Sequence, residues 1–150
     1  MLKIYNILEK MDFLKEVATL EYEEWADKPE EDKEARIKGK IEKIKIKLKG
    51  KDFCKLILLD DDKLIGFISI FPQDCDECPK LSPWYATMYV KKEYRGQGYS
   101  KILNDAILKE ARKRGYKEIY LKTTLNDYYE KFGAILVKKI SEEKIYKFEL

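Results

Sequence analysis

A strand, a pair of glycines and a helix follow one another between residues 83 and 115, and this order constrains the fold more than any other feature. The segment "PWYATMYV" predicts a strand, and its first residue, Pro83, stands where strands tolerate proline. After "EYRGQGYSKIL", apolar residues recur at helical spacing: Tyr99, Ile102, Leu103, Ala106, Ile107 and Ala111. Gly115 then ends the helix as a left-handed residue. The chain is therefore predicted to have mixed α/β structure.

The glycine turn predicts an anion site. Gly96 and Gly98 let the backbone turn sharply and come close to a ligand. They precede a helix whose free N–H groups and positive dipole end favour a phosphate. Arg95 and Lys101 add positive charge. A tight turn without any ligand is the alternative interpretation.

Two familiar phosphate-binding loops do not fit this turn. The Walker A pattern G-x-x-x-x-G-K-[ST] is absent from the sequence. A dinucleotide-binding loop needs a third glycine where Lys101 stands, and the acidic residue expected after a second strand is not evident. Neither nucleotide-binding loop explains the turn.

The rest of the chain alternates between short strands and helices. Strands are predicted in "LKIYNI", "DFCKLILL", "LIGFISIF", "KEIYLKT", "AILVKKI" and "KIYKFEL", and helices in "FLKEVATLEYEEW" and "NDYYEKFG". A further helix is predicted from Pro29, with Glu30, Glu31 and Asp32 in its first turn and Ile37, Ile41, Ile44 and Leu48 along one face. The stretch "KIKIKLK" also alternates as a strand would. Without repeats or linkers, the 150 residues are expected to form a single α/β (α+β) domain spanning residues 1–150.

Composition excludes several kinds of site. The chain has no histidine, so no Ser-His-Asp or Cys-His unit and no His-ligated metal site can form, and no metal is expected. Three cysteines fit a reducing compartment, and the lone C-x-x-C of Cys75 and Cys78 is interpreted as ordinary loop residues. Lys and Arg number 31 against 28 Asp and Glu, a net charge of +3 that does not favour a nucleic-acid partner.

The N-terminal segment and the hydropathy pattern bear on location. No apolar run reaches the roughly 18 residues of a membrane span, so no membrane partner is expected. The segment "MLKIYNILEKMDFLKEV" is interrupted by charge every few residues and does not resemble a signal peptide. A cytoplasmic monomer or homodimer is the expectation.

The glycine turn resembles one loop closely. "RGQGYS", residues 95–100, is similar to the [Q/R]-x-x-G-x-[G/A] loop of the GNAT acyl-CoA N-acyltransferases. "IGFISIF" before the turn and "YLKTT" and "YYEKFGA" after it occur in the order of that family, so the resemblance covers roughly residues 55–137. Ser100 and Ala134 depart from the family pattern. The resemblance implies a GNAT-type fold, with a largely antiparallel central sheet flanked by helices and a splayed strand pair at the acetyl-CoA site.

The resemblance also implies a cosubstrate, acetyl-CoA, and residues that bind it. The backbone of Met88, Tyr89 and Val90 is expected to pair with the pantetheine arm. The pyrophosphate is expected to lie against Arg95, Gly96, Gln97, Gly98, Tyr99 and Ser100. Asn126 is expected either to reach pantetheine or to cap the short helix. Lys131 is either a ligand of the 3′-phosphate or a solvated lysine.

Tyr129 matches the general-acid tyrosine of the family in the pattern Y-x-x-x-G. A phenol with a pKa near 10 is protonated at neutral pH and can donate a proton to a leaving thiolate. The neighbouring Tyr128 is expected to be mainly structural. The resemblance therefore implies that Tyr129 is the catalytic residue.

The acceptor is left open by the sequence. The carboxylates in the region that flanks the acceptor pocket in this family are Glu21, Glu23, Glu24 and Asp27, and none is singled out as the general base. An amino sugar, a polyamine, an amino acid and a protein amine all remain candidates. The resemblance predicts an N-acetyltransferase in which a small-molecule or peptide amine attacks acetyl-CoA directly in a ternary complex. The alternatives are a catalytically silent acyl-CoA-binding module and a nucleic-acid-binding domain using residues 33–51.

Overall fold

The computed structural model describes residues 1–26 and 32–150, and all the predicted strands are found in it. The strands are β1 (Leu2–Asn6), β2 (Cys54–Asp60), β3 (Lys63–Phe71), β4 (Trp84–Val90), β5 (Glu118–Thr123), β6 (Ile135–Ile140) and β7 (Glu143–Glu149). The α-helices are α1 (Leu14–Trp25), α2 (Lys33–Lys47) and α3 (Tyr99–Lys113). Short 3₁₀ helices lie at Ile7–Glu9, Met11–Phe13, Lys92–Tyr94 and Tyr129–Phe132.

The described strands form one sheet in the order β1-β2-β3-β4-β5-β7-β6. Neighbouring strands are antiparallel except β4 and β5, which run parallel. These two pair at a single described position, Trp84 with Tyr120, beside a hydrogen bond of 3.0 Å from the Tyr120 N–H to the Pro83 carbonyl. The predicted mixed, largely antiparallel sheet with a splayed strand pair is confirmed.

Helices cover both faces of the sheet, which explains why β2 is apolar along almost its whole length. Alternate residues of a strand point to opposite faces. Leu56 and Leu58 lie in a cluster with Leu103 and Ile107 of α3. The intervening Ile57 packs on the other face, in the cluster that contains residues of α1 and α2. Burial on both faces produces a continuous apolar run in place of an alternating pattern.

The segment "KIKIKLK" is helical up to Lys47, where α2 ends, so the strand alternative for it is wrong. Ile37 and Ile44 are buried on the inner face of α2, whereas Ile46 is exposed to solvent. Asp32 precedes the helix with φ of +60° and does not lie in its first turn. The predicted helix start at Pro29, with Glu30 and Glu31, lies outside the described residues.

The segment "NDYYEKFG" forms a shorter helix than its pattern indicates. Only the 3₁₀ helix Tyr129–Phe132 is present, and Gly133 ends it with φ of +99°. Gly115, at φ +87°, follows α3 as predicted. Among the described residues, no helix has the length and apolar character needed to cross a membrane.

Candidate functional site

The splay between β4 and β5 leaves a cavity of about 740 Å³ beside the start of α3. Nine residues predicted from the sequence line it: Met88, Tyr89, Val90, Arg95, Gly96, Gly98, Tyr99, Ser100 and Tyr129. Gln97 is exposed and is not part of the lining. This cavity is called the cleft below.

The glycine turn has the backbone conformation that its sequence predicts. Gly96 and Gly98 have φ of +78° and +84°, a region that residues with side chains rarely adopt. Gly98 immediately precedes α3, and no described side chain caps the helix or places an acid in its first turn. The first amides of α3 are thus left for a ligand in the cleft, which is the arrangement that binds phosphates.

Two cationic side chains near the turn, those of Arg95 and Lys131, make different contacts. The exposed Arg95 donates from Nε to the Val90 carbonyl at 2.8 Å, and its guanidinium lies 5.4 Å from the Tyr89 ring centroid. Lys131 lines the cleft and stacks over Tyr128, with Nζ 4.1 Å from the ring centroid. Arg95 and Lys131 are therefore the cations that line the described part of the cleft.

A β-bulge in β4 lies at the inner end of the cleft. Phe67 pairs with Tyr89 and Ser69 with Ala86, so one residue of β3 opposes Thr87 and Met88 together. Thr87 has φ of +50°, which is rare for a β-branched residue and marks a strained position. The bulge was not predicted, because no glycine or proline marks it in the sequence.

A second cavity, of about 750 Å³, opens from the bulge. It is called the acceptor cavity below, after the role proposed for it in the next subsection. Its lining includes Glu21, Trp25 and Lys47 from the first two helices and Thr87 from the bulge. It shares Glu24, Met88, Leu125 and Tyr129 with the cleft. A group held at Tyr129 can thus be approached from both cavities.

Tyr129 lies at this junction, and its ring contacts two other aromatic rings. Its ring meets Tyr85 edge-on at 5.8 Å and Tyr128 at 4.8 Å between centroids. Burial, with the neighbouring Tyr128 as a smaller cause, raises the pKa of Tyr129 to about 12. The phenol therefore remains protonated at neutral pH and can act as a proton donor.

Tyr128 also lines the cleft, but its hydroxyl is engaged in a hydrogen bond. Its hydroxyl donates to Ser100 Oγ at 3.2 Å, which ties the 3₁₀ helix to the first turn of α3. The Ser100 hydroxyl therefore contacts Tyr128 and does not cap α3. The two adjacent tyrosines occupy different environments.

Asn126 lies apart from both cavities. Its side chain is exposed, and its Oδ1 accepts a hydrogen bond from Lys144. The residue preceding the 3₁₀ helix is Tyr128, and no described side chain caps that helix, so the capping alternative for Asn126 is wrong. Its contact with pantetheine stays a prediction.

The four candidate carboxylates of the first helical region differ in burial and in whether they line a cavity. Glu23 is exposed and pairs with Lys33 at 3.1 Å. Glu24 lines both cavities, and Glu21 is buried against the acceptor cavity. Asp27 lies outside the described residues.

The C-x-x-C cysteines belong to a small apolar cluster. Cys75 and Cys78 are buried with Trp84, Tyr120 and Ile145. Among the described residues, no group of three or more Cys, Asp or Glu side chains is placed to hold a metal ion.

Comparison with known proteins gives the family. The sequence profile of the acetyltransferase (GNAT) family matches residues 8–134 of the chain. The chain belongs to this family. Membership confirms the resemblance seen in the glycine turn and the enzyme class, an acyltransferase.

Three GNAT proteins illustrate the range of relatives. N-alpha-acetyltransferase 30 of Schizosaccharomyces pombe is 34% identical over 89 residues, a match that covers 56% of this chain and 59% of the relative. PaiA N-acetyltransferase of Thermoplasma acidophilum, in complex with coenzyme A, is 22% identical with a TM-score of 0.68, covering 100% of this chain and 99% of that chain. An aminoglycoside 6′-N-acetyltransferase complexed with coenzyme A is 17% identical with a TM-score of 0.68, covering 99% and 96% of the two chains. The solved structures share the fold of this chain.

Proposed function

We propose that the chain, as a single domain, transfers the acetyl group of acetyl-CoA to a primary amine by direct attack in a ternary complex. Support comes from the family and from the meeting of two cavities at Met88 and Tyr129. That junction is the observation that carries the proposal. One cavity has a phosphate-binding helix start, and the other is an open space for an acceptor.

The residues that line the cleft fit the chemical groups of acetyl-CoA. The pyrophosphate would accept hydrogen bonds from the first amides of α3, next to Arg95. Pantetheine would pair with the free edge of β4 at Met88, Tyr89 and Val90, where β5 diverges. Bound there, acetyl-CoA supplies an activated acyl group, a thioester, at the bulge.

Transfer then needs an amine and a proton donor on opposite sides of the thioester. The lone pair of a neutral amine attacks the acetyl carbon, the C–N bond forms and the C–S bond breaks. Tyr129 donates its proton to the sulfur as negative charge develops there, which gives the free thiol of CoA. The nitrogen loses its extra proton to solvent as the amide forms, and the Tyr129 phenolate takes up a proton from solvent. Its raised pKa, about 12, keeps the proton on the hydroxyl until that moment.

The acceptor is proposed to be a small-molecule or peptide amine. One relative is named for acetylating alpha-amines and another for acetylating an aminoglycoside. The acceptor cavity is lined by charges of both signs, with Glu21, Glu24, Asp74 and Glu143 against Lys40, Lys47 and Lys122. Cytoplasmic location, a monomer or homodimer, and the absence of a nucleic-acid partner stay predictions.

A panel of amines tests this function. Purified protein with acetyl-CoA is offered an aminoglycoside, a diamine, free amino acids and short peptides with free N-termini. Release of free thiol is followed, and the acetylated product is identified by mass spectrometry. Amine-dependent release with a matching product supports the proposal. Tight acetyl-CoA binding without turnover on any amine would favour a silent binding module.

A further inference from the structure

A lysine is completely buried between the sheet and the helices below the acceptor cavity. Lys55 of β2 is 0% exposed, and its Nζ donates to Ser69 Oγ at 2.6 Å and to Glu21 Oε1 at 3.3 Å. The rings of Phe53, Phe67 and Phe71 surround Nζ, with centroids at 5.5–6.0 Å. A buried cation needs a carboxylate partner, and Glu21 of α1 is that partner.

Only one of the two oxygens of the Glu21 carboxylate accepts a hydrogen bond from Lys55. Its second oxygen, Oε2, also lies 3.3 Å from Lys55 Nζ but accepts no hydrogen bond from any described residue. The side chain is 3% exposed, and it lines the acceptor cavity. A buried acceptor without a donor is costly, and such atoms in native proteins call for an explanation.

The same network reaches the bulge of β4. Ser69 Oγ lies 2.6 Å from Thr87 Oγ1, and Thr87 lines the acceptor cavity next to Met88. The chain of contacts from Glu21 through Lys55 and Ser69 to Thr87 therefore fixes the carboxylate relative to the bulge. At the bulge, the cleft and the acceptor cavity meet.

We propose that Glu21 Oε2 binds the amino group of the acceptor and positions it for attack beside Met88 and Tyr129. This inference rests on the proposed acetyl transfer and assigns one residue to its acceptor. A primary amine brings the N–H donors that Oε2 lacks, and a charge-assisted hydrogen bond in a desolvated site is strong. Lys55 acts as a positioning residue, because its Nζ lies 3.3 Å from both carboxylate oxygens but donates a hydrogen bond only to Oε1.

The charges around Glu21 are compatible with this role. Burial lowers the pKa of the Lys55 ammonium, and the Glu21 carboxylate opposes that shift. The other acids that line the cavity are Glu24, Asp74 and Glu143, and each is less buried than Glu21. Glu21 is thus the carboxylate held most firmly in this lining.

Three variants separate acceptor binding from a purely structural ion pair. Glu21→Gln keeps the shape and can still accept from Lys55, but it removes the negative charge. The double variant Glu21→Gln/Lys55→Met removes both charges, and such replacements of buried pairs are often neutral or stabilising. Glu110→Gln removes a glutamate of α3 that pairs with Arg114 at 2.8 Å and lines neither cavity.

For each protein, the KM and kcat of the best amine in the panel are measured, with the acetyl-CoA Kd from calorimetry and the thermal unfolding midpoint. The Kd of each amine of the panel in the presence of CoA gives a reading that does not need turnover. We expect Glu21→Gln to raise the KM and Kd of the amine at least about tenfold, the loss of one charge-assisted hydrogen bond. Acetyl-CoA affinity should be unchanged, and Glu110→Gln should match the wild type.

The double variant decides between the two roles. Continued weak amine binding in a protein of restored stability supports acceptor recognition by Glu21. Wild-type amine affinity in either Glu21 variant, or no saturable binding of any amine to the wild type, would overturn the inference. Amine binding that depends on Glu21 without any thiol release would retain the inference and reject the proposed function.

Discussion

Tyr128 and Tyr129 are adjacent in the sequence at the start of a short helix, but their side chains have different surroundings. Tyr129 points to the junction of the cavities, and its hydroxyl makes no hydrogen bond with a described residue. Tyr128 binds Ser100 of α3. The sequence pattern Y-x-x-x-G singles out Tyr129 as the acid, and the contact of Tyr128 with Ser100 could not be found from the sequence.

Replacing Tyr129 with Phe should reduce turnover about 10²–10⁴-fold, because the leaving thiolate loses its proton donor. Acetyl-CoA affinity should change little, since the ring contacts with Tyr85 and Tyr128 are kept. The control is Tyr128→Phe, which removes a hydroxyl from the neighbouring ring and should have a much smaller effect. Steady-state kinetics at saturating acetyl-CoA measure both. Equal rates for both variants and the wild type would reject a proton-donor role.

The pKa of Tyr129 gives a separate expectation for pH. In the proposed mechanism the protonated phenol is the functional form. It is populated at pH values below a pKa of about 12 and lost only as the pH rises through that value. Tyr129 should therefore cause no descending limb in the kcat profile below about pH 10, the ordinary tyrosine value. A descending limb near neutral pH that disappears in Tyr129→Phe would contradict the raised pKa of Tyr129.

At the scale of elements, the start of α3 is the proposed phosphate site. Gly98→Val should weaken acetyl-CoA binding sharply, because the side chain would face the ligand and the positive φ adds roughly 1–2 kcal/mol of strain. Nothing in the described protein lies within 4 Å of a Cβ at Gly98, so the effect should fall on the ligand.

A matched control exists at the other end of the same helix. Gly115 has φ of +87° against +84° for Gly98, and its Cβ would also meet nothing within 4 Å. Gly115→Val should therefore lose similar stability but keep acetyl-CoA affinity. Calorimetry on both variants measures the acetyl-CoA affinities. An unchanged affinity in Gly98→Val would contradict phosphate binding at the start of α3.

The elements themselves were largely predictable from local pattern. Gly115 and Gly133 mark helix ends by a conformation that side chains disfavour, and both are found with positive φ. The helical spacing of Ile37, Ile41 and Ile44 correctly outweighed the strand-like alternation of "KIKIKLK", residues 43–49.

Features that depend on tertiary contacts were not predicted. The bulge at Thr87 and Met88 arises from the register of β4 against β3, which no local pattern specifies. The buried Lys55 was missed, although the sequence holds a signal for it. In a strand, Lys55 shares a face with Ile57 and Leu59, and both neighbours are apolar core residues.

At the scale of the whole molecule, the sheet consists of two parts that meet at the site. β1 to β4 form one antiparallel part and β5, β7 and β6 the other, joined in the described structure by the single pair Trp84 and Tyr120. The cleft follows from this weak joint, since the strands diverge beyond it. Two core clusters contain residues of both parts and keep them in one sheet: the cluster under α3 and the smaller cluster around Trp84 and Tyr120.

The cysteines are not expected to carry the acetyl group. Burial raises the pKa of the Cys54 thiol to about 11, so it is not a thiolate nucleophile at neutral pH. Cys75 and Cys78 lie in the apolar cluster with Trp84, and neither lines the cleft or the acceptor cavity. A triple Cys→Ala variant should keep most of its turnover in the thiol-release assay, and loss of all activity in a folded variant would argue for a cysteine intermediate.

The most direct test of the central claim follows the acetyl group itself. The protein is mixed with acetyl-CoA carrying ¹³C in the acetyl group, with and without an accepted amine. The masses of the protein and of the small molecules are then measured by mass spectrometry. Direct transfer predicts label in the amine in proportion to the thiol released, and an unchanged protein mass when the amine is withheld. A stoichiometric acetyl group on the protein before the amine is added, or thiol release without labelled amine, would contradict the account.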